Sequence, residues 1–189
     1  PGDVIVGADS HTCTNGAVCA FATGMGSTDV GVAMAYGKTW MMVPPTYKIT
    51  VHGDWPTGVY SKDFILKFIG DISAEGATYK ALEFHGEAFE KLSMHARMSV
   101  SNMAVECGAK VGLVPSDDVC RKHLEDVDRG DEFTALDADP GAKYEKEFEY
   151  DVSDFEPYVA APHMPDNVKP LSEVMREDVK VDQVFIGTS

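Results

Sequence analysis

Val4-Ile5-Val6-Gly7-Ala8-Asp9-Ser10-His11-Thr12 is the stretch that decides how the chain is read. Its short β-branched run predicts a buried strand over 4–6. Gly7 and Ala8 close that strand, and three polar side chains follow where the backbone must leave the sheet. Open α/β sheets collect their chemistry at the carboxyl ends of strands. There, Asp9 can orient a neighbouring imidazole, His11 can take or give a proton near neutral pH, and Ser10 offers a hydroxyl. A second reading stands beside this one: Asp and Ser just after a strand also cap the turn that follows.

Outward from this stretch, strand and helix signals alternate. Residues 16–23 are Ala-rich and predict a compact helix. Ser27-Thr28-Asp29 starts another, running to Tyr36. Pro44-Pro45 breaks the chain before an alternating strand over 47–51. Ser61 reads as an N-cap, with Phe64, Ile65, Phe68 and Ile69 at helical spacing behind it. A strand is expected over 78–84, a long helix over 92–108, a short strand over 111–114 and a helix starting at Pro115-Ser116-Asp117-Asp118. After Arg129 the chain turns acidic and poor in aliphatics. An exposed strand over 143–152, a proline-punctuated stretch and a closing strand over 183–186 complete the reading. No fixed-period repeat is visible. The expected organisation is an α/β core over 1–130 and an acidic connecting segment over 131–189 that returns to a final core strand. The alternation argues for an α/β sandwich.

The chain has 189 residues, 44% of them apolar, enough for one large or two small domains. No stretch approaches the roughly 20 apolar residues of a membrane span, and the first residues lack a basic-plus-apolar leader. A cytoplasmic location is expected. The chain opens at Pro1, almost directly in a strand, and stops just after an apolar run, so an excerpt of a longer polypeptide is expected. The net charge of −15 opposes binding to nucleic-acid phosphate or an anionic membrane. A small anionic substrate remains compatible, given a local cationic site. The four cysteines (Cys13, Cys19, Cys107, Cys120) form no C-x-x-C pair and no zinc spacing, which fits reduced thiols.

A second polar constellation lies in the long predicted helix. Asn102 and Glu106 stand four apart, a spacing that puts them on one face, with Arg97 and Ser99 earlier in the segment. This face is either the solvated side of an amphipathic helix or part of a site. Between Lys91 and Lys110 the only acid is Glu106. A solvated face usually carries more charge, which favours the site. Among the remaining histidines, His52, His85 and His123 read as surface residues, His95 faces either way, and His163 lies in a loop.

Taken together, the motifs resemble the large subunit of 3-isopropylmalate dehydratase and its aconitase-superfamily relatives, homoaconitase included, most of all the archaeal-type branch. The resemblance rests on the opening stretch through Thr12, then Phe21-Ala22-Thr23-Gly24-Met25-Gly26-Ser27-Thr28-Asp29, Ser61-Lys62-Asp63-Phe64-Ile65-Leu66, Arg97 through Glu106, and Val181-Asp182-Gln183-Val184-Phe185-Ile186-Gly187. It covers nearly the whole chain in order. It implies a three-layer α/β/α sandwich with a mixed sheet. It also implies a hydro-lyase of leucine biosynthesis that dehydrates and rehydrates hydroxy-di- or tricarboxylates such as 3-isopropylmalate or homocitrate/homoaconitate. In that family a [4Fe-4S] cluster with one open iron acts as Lewis acid. The catalytic residues implied are Asp9, Ser10, His11 and Glu106, with His11 paired to Glu106. Asn102, Thr12 and Thr14 would lie near substrate or cluster. A small subunit (the swivel domain) and a hydroxy-carboxylate are the implied partners, with neither nucleic acid nor membrane. Two departures follow. Ser189 stands where the family has its first cluster cysteine, and no later C-x-x-C pair is present, so no cluster is expected in this chain alone. Relatives often carry His where this chain has Asn15. The rival readings are a catalytically silent excerpt or scaffold domain, or an aconitase-type enzyme for citrate or dimethylmalate.

Overall fold

The computed structural model describes residues 1–187. Strands β1 (Val4–Gly7) and β2 (Phe21–Gly24) run parallel, in register from Val4 opposite Phe21 to Gly7 opposite Gly24. The chain between them winds as a 3-10 segment over Ser10–Val18 and stops at Cys19, which is left-handed at φ +58°. The helix expected over 16–23 is therefore a correction: its first part ends the 3-10 segment and its last part is β2. The physical reason is that small residues carry no apolar stripe to impose a 3.6-residue period. Ala20 and Ala22 are buried, and the parallel partner β1 settles their conformation.

Helix α1 (Ser27–Tyr36) begins where Ser27-Thr28-Asp29 suggests and ends at Gly37, whose φ of +66° lets its N–H reach back to the Ala33 carbonyl at 2.8 Å. β3 (Thr46–His52) alternates as expected, with Tyr47, Ile49 and Val51 buried. In α2 (Ser61–Ile72) the cap is Tyr60 rather than Ser61: the Asp63 carboxylate accepts the Tyr60 backbone N–H at 2.8 Å. Phe64, Ile65, Phe68 and Ile69 are all fully buried.

β4 (Ala81–His85) leads through the short α3 (Glu87–Glu90) to α4 (Met94–Met103). The long helix expected over 92–108 is divided, because the chain tightens to a 3-10 turn over Ala104–Cys107 before β5 (Val111–Leu113). α5 (Asp118–Asp126) is capped by the Asp117 carboxylate. The acidic segment then supplies β6 (Lys146–Asp151), which pairs parallel with β3 and completes a four-stranded parallel sheet of order β5-β4-β3-β6. Lys146, Glu147 and Glu149 face solvent on this edge while Phe148 and Tyr150 pack inward. A charged edge of this kind resists further strand pairing. β7 (Tyr158–Ala160) and β8 (Val168–Pro170) form an antiparallel pair ahead of the single turn α6 (Leu171–Val174).

The sheet and the helices α2 and α4 share one apolar cluster, with Phe84 stacked on Phe89 at 5.3 Å and edge-on to Phe64 at 6.1 Å. Each such side chain contributes about 1.5–3 kcal/mol on burial. The alternation of strands and helices is thus an α/β fold, with parallel and antiparallel pairing in the same molecule. The closing strand expected over 183–186 is a second correction. These residues form no strand, and Val184, Phe185 and Ile186 are exposed. A strand exists only where a neighbour takes its N–H and C=O groups, and no described strand lies against this stretch. Ser189 lies outside the described residues. No helix among those described is long and apolar enough to cross a membrane.

Candidate active site

The opening stretch becomes a site because β1 and β2 end together. Gly7 and Gly24 are register partners, so the chain after each strand turns outward at the same level. A Cβ on Gly24 would stand 2.8 Å from the Asp9 carbonyl oxygen and 2.9 Å from the Ser10 Cα. Glycine is what allows β2 to end against that backbone. A Cβ on Gly16 would meet the Gly112 carbonyl oxygen at 2.0 Å, and the Gly16 carbonyl accepts the Val114 N–H at 3.0 Å. The 3-10 segment is thereby laid against the end of β5. A cleft of about 340 Å³ opens beside the ends of β1 and β2, lined by Ala8, Ser10, Gly24, Met25, Val105 and Lys110 among others.

Within this frame Asp9 performs the capping role. Its Oδ1 accepts the His11 backbone N–H at 2.6 Å and lies 3.7 Å from His11 Nδ1. The Ser10 hydroxyl is 3.1 Å from His11 Nδ1. Thr12 donates its hydroxyl to the Asp9 carbonyl at 2.6 Å. His11 sits at φ −87°, ψ 15°, where the helical winding breaks. This is the bridge region in which many active-site residues are found.

Asn102 and Glu106 both face this segment, the first from α4 and the second from the 3-10 turn behind it. His11 Nε2 lies 3.5 Å from Glu106 Oε1, each side chain about two-fifths exposed (43% and 38%). That separation is longer than a well-formed hydrogen bond and short enough for close charge contact. Asn102 Nδ2 donates to Thr14 Oγ1 at 2.9 Å, and the Thr14 hydroxyl donates to the His11 carbonyl at 2.7 Å. Cys13, buried beside them, donates its thiol to the Asn102 carbonyl at 3.3 Å. Asp9, Ser10, His11, Thr12, Thr14, Asn102 and Glu106 thus lie in one neighbourhood. Asp9 is its outermost member, with 78% of its side chain exposed.

The cysteines do not fit an iron–sulfur ligand set. Cluster ligands are thiolates, and burial pushes every thiol here the other way. Cys13 is raised to about 11 and Cys107 to about 12, while Cys19 and Cys120 are also raised. Among the described residues no three His, Cys, Asp or Glu side chains are grouped to hold a metal ion.

Sequence reasoning noted Arg97 without seeing what it does. Its guanidinium is fully buried and clasps Asp117 through two parallel bonds of 2.8 and 2.7 Å, with a third, 2.8 Å, to the Glu90 carbonyl. Asp117 also accepts the N–H groups of Val119 and Cys120. Burial raises the Asp117 carboxyl, but the Arg97 hydrogen bond and charge, with those two N–H groups, outweigh it and hold it below the ordinary aspartate value. The only advance signal was the lone arginine in a helix with no other Lys, Arg, Asp or Glu. Among the other histidines, His52 pairs with Glu87 at 2.9 Å, His85 is mostly covered beside Glu83, and His95 and His163 are exposed.

Over its whole length the chain is 54% identical to the "3-isopropylmalate dehydratase large subunit 2" of Archaeoglobus fulgidus, covering 45% of that protein. It is 52% identical to the large subunit 1 of Thermotoga maritima, covering 45%, and 55% identical to the large subunit of Elusimicrobium minutum, covering 44%. The chain therefore spans less than half the length of these curated relatives. Residues 1–185 match the aconitase family (aconitate hydratase). With nearly every residue inside that match, the chain belongs to the aconitase family.

Proposed function

We propose that the polypeptide to which this chain belongs is the large subunit of a cytoplasmic hydro-lyase. It interconverts hydroxy-di- or tricarboxylates, 3-isopropylmalate first among them, by removing water and adding it back at the adjacent carbon. Elimination takes one proton from carbon and delivers one to the departing hydroxyl; hydration reverses both transfers. His11 and Glu106 are the groups for this proton traffic, since each can hold a proton in turn and both remain open to a bound substrate. Ser10 orients the His11 ring, Asp9 and Thr12 hold the turn that carries it, and Thr14 ties Asn102 to the same backbone. The observation that carries the reading is the meeting of His11 with Glu106, 95 positions apart, across the end of a parallel strand pair. The names of the relatives support the substrate class and a small-subunit partner. A [4Fe-4S] cluster in such an enzyme would be held by thiolates other than the four cysteines of this chain.

The test is a hydration assay of the full-length large subunit, with its small subunit, against 2-isopropylmaleate, homoaconitate and cis-aconitate. Turnover fastest on 2-isopropylmaleate is expected, and this chain alone is expected to turn over none of them. Preference for another acid would move the substrate assignment. No turnover on any, with both subunits folded and loaded with cluster, would remove the hydro-lyase reading.

A further inference from the structure

A hydroxy-dicarboxylate brings negative charge to a chain whose own net charge is −15. Of the side chains gathered around His11, Asp9 and Glu106 are acids and none is a Lys or Arg. Like charges repel, so a bound carboxylate needs a cation within reach. The cleft beside the ends of β1 and β2 supplies one. Lys110 is the only charged residue in its lining among those described, and Ser10 and the almost fully buried Thr23 bring hydroxyls to it. The cleft adjoins the site at two points. The Ser10 hydroxyl lies 3.1 Å from His11 Nδ1, and Val105 directly precedes Glu106. Its volume of about 340 Å³ suits a small ligand.

Two backbone features place Lys110 there. Gly108 ends the 3-10 turn that carries Glu106, at φ +82°, and a Cβ on it would stand 2.9 Å from Thr78 Oγ1. Tyr79 is left-handed at φ +60°. A bulky residue seldom adopts that conformation, and it persists only where the surroundings over-determine it. Here the Tyr79 N–H donates to the Gly108 carbonyl at 3.1 Å, and the Lys110 N–H donates to the Lys80 carbonyl at 2.8 Å. The Tyr79 ring then lies under the Lys110 ammonium, 4.7 Å from centroid to nitrogen. Lys67, Lys80, Lys91 and Lys169 each meet a carboxylate; Lys110 meets none among the described residues. The ring holds its charge in place without neutralising it, and an ammonium with three donors keeps some free for a ligand. We propose, resting on the hydro-lyase reading, that Lys110 is a substrate-binding residue whose ammonium receives one carboxylate of the hydroxy-dicarboxylate.

The experiment uses the full-length large subunit with its small subunit and cluster. Lys110→Met keeps the apolar stem and removes the charge, and Lys110→Arg puts a charge back. For Lys110→Met, KM for 2-isopropylmaleate is expected to rise about ten-fold or more while kcat stays within about three-fold, as for a charged hydrogen bond made equally in ground and transition states. Lys110→Arg is expected to recover most of the loss. Calorimetric titration with isopropylsuccinate, a dicarboxylate with no hydroxyl to eliminate, reads binding without turnover, and about ten-fold weaker binding to Lys110→Met is expected. Unchanged binding and KM in Lys110→Met, with a lowered melting temperature, would overturn the inference and leave Lys110 as a stacking partner of Tyr79. A loss of kcat with KM unchanged, or a loss that Lys110→Arg does not recover, would also overturn it. If the parent turned over none of the acids, the hydro-lyase reading would fall, and the titration would still decide the role of Lys110. A parent that bound no isopropylsuccinate would overturn the Lys110 assignment outright.

Discussion

Two acid–base pairs sit at opposite ends of the same helix and are built in opposite ways. Arg97, in the first half of α4, is closed off from solvent and fastened to Asp117 by two short parallel bonds. Glu106, in the turn just past α4, meets His11 at a single 3.5 Å approach, with solvent reaching both. The first pair is architecture. An arginine cannot surrender its proton, and its bonds tie α4 to the cap of α5 and to the Glu90 carbonyl. The second pair has the properties that proton transfer asks for: two side chains able to hold a proton, a loose contact that can re-form around a ligand, and exposure to solvent. The lesson is that opposite charges in contact say little until burial and donor chemistry are added. Buried and bidentate means fixed; half-exposed and monodentate, on a strand end, means available.

The sharpest way to break this contrast is to remove each pair in turn. In the full-length enzyme, His11→Ala or Glu106→Gln should lower kcat by about 10²–10⁴-fold, the range for loss of a positioned acid or base. The melting temperature should stay near that of the parent, because neither side chain is buried. Asp117→Asn should do the reverse, costing about 3 kcal/mol of stability in urea unfolding, since it leaves the Arg97 charge buried without its counterion. Turnover per folded molecule should change far less than in the His11 variant. Acid gives the same pair a gentler test. The Asp117 carboxyl is held below its ordinary value of 3.8 in the folded state. Its contribution to stability is therefore complete above that pH and fades as pH falls through the lower folded value. Urea midpoints should drop more steeply below pH 3.8 for the parent than for Asp117→Asn.

Much of this arrangement was legible from residues. β1, α1, β3 and α2 announce themselves through apolar period and through start and stop residues, and the Asp9-Ser10-His11 run marks the strand end where chemistry collects. The charge-poor setting of Glu106 pointed to a site. The resemblance to the 3-isopropylmalate dehydratase large subunit added the pairing with His11, which no local pattern contains. What stayed hidden depended on distant partners. β2 is a four-residue strand of small residues whose identity comes from β1. The stretch 183–186 has strand composition but no described neighbour to pair with. Arg97 and Asp117 are 20 positions apart, and only the packing of α4 on α5 turns them into one unit. The cap at Tyr60 was missed because Ser61 is the better N-cap residue type, whereas here the Asp63 carboxylate reaches back to the Tyr60 N–H and makes Tyr60 the cap.

The central claim is that His11 and Glu106 act as one proton-handling unit, and a double-mutant cycle on turnover tests it directly. His11→Ala, Glu106→Gln and the double variant are made in the full-length enzyme, with folding and cluster content matched before rates are compared. The double variant is expected to be no slower than the slower single variant within about three-fold, because groups acting as a unit are lost together. Losses that multiply across the two positions would show that the residues act separately, and the 3.5 Å approach between them would then be proximity without a shared function.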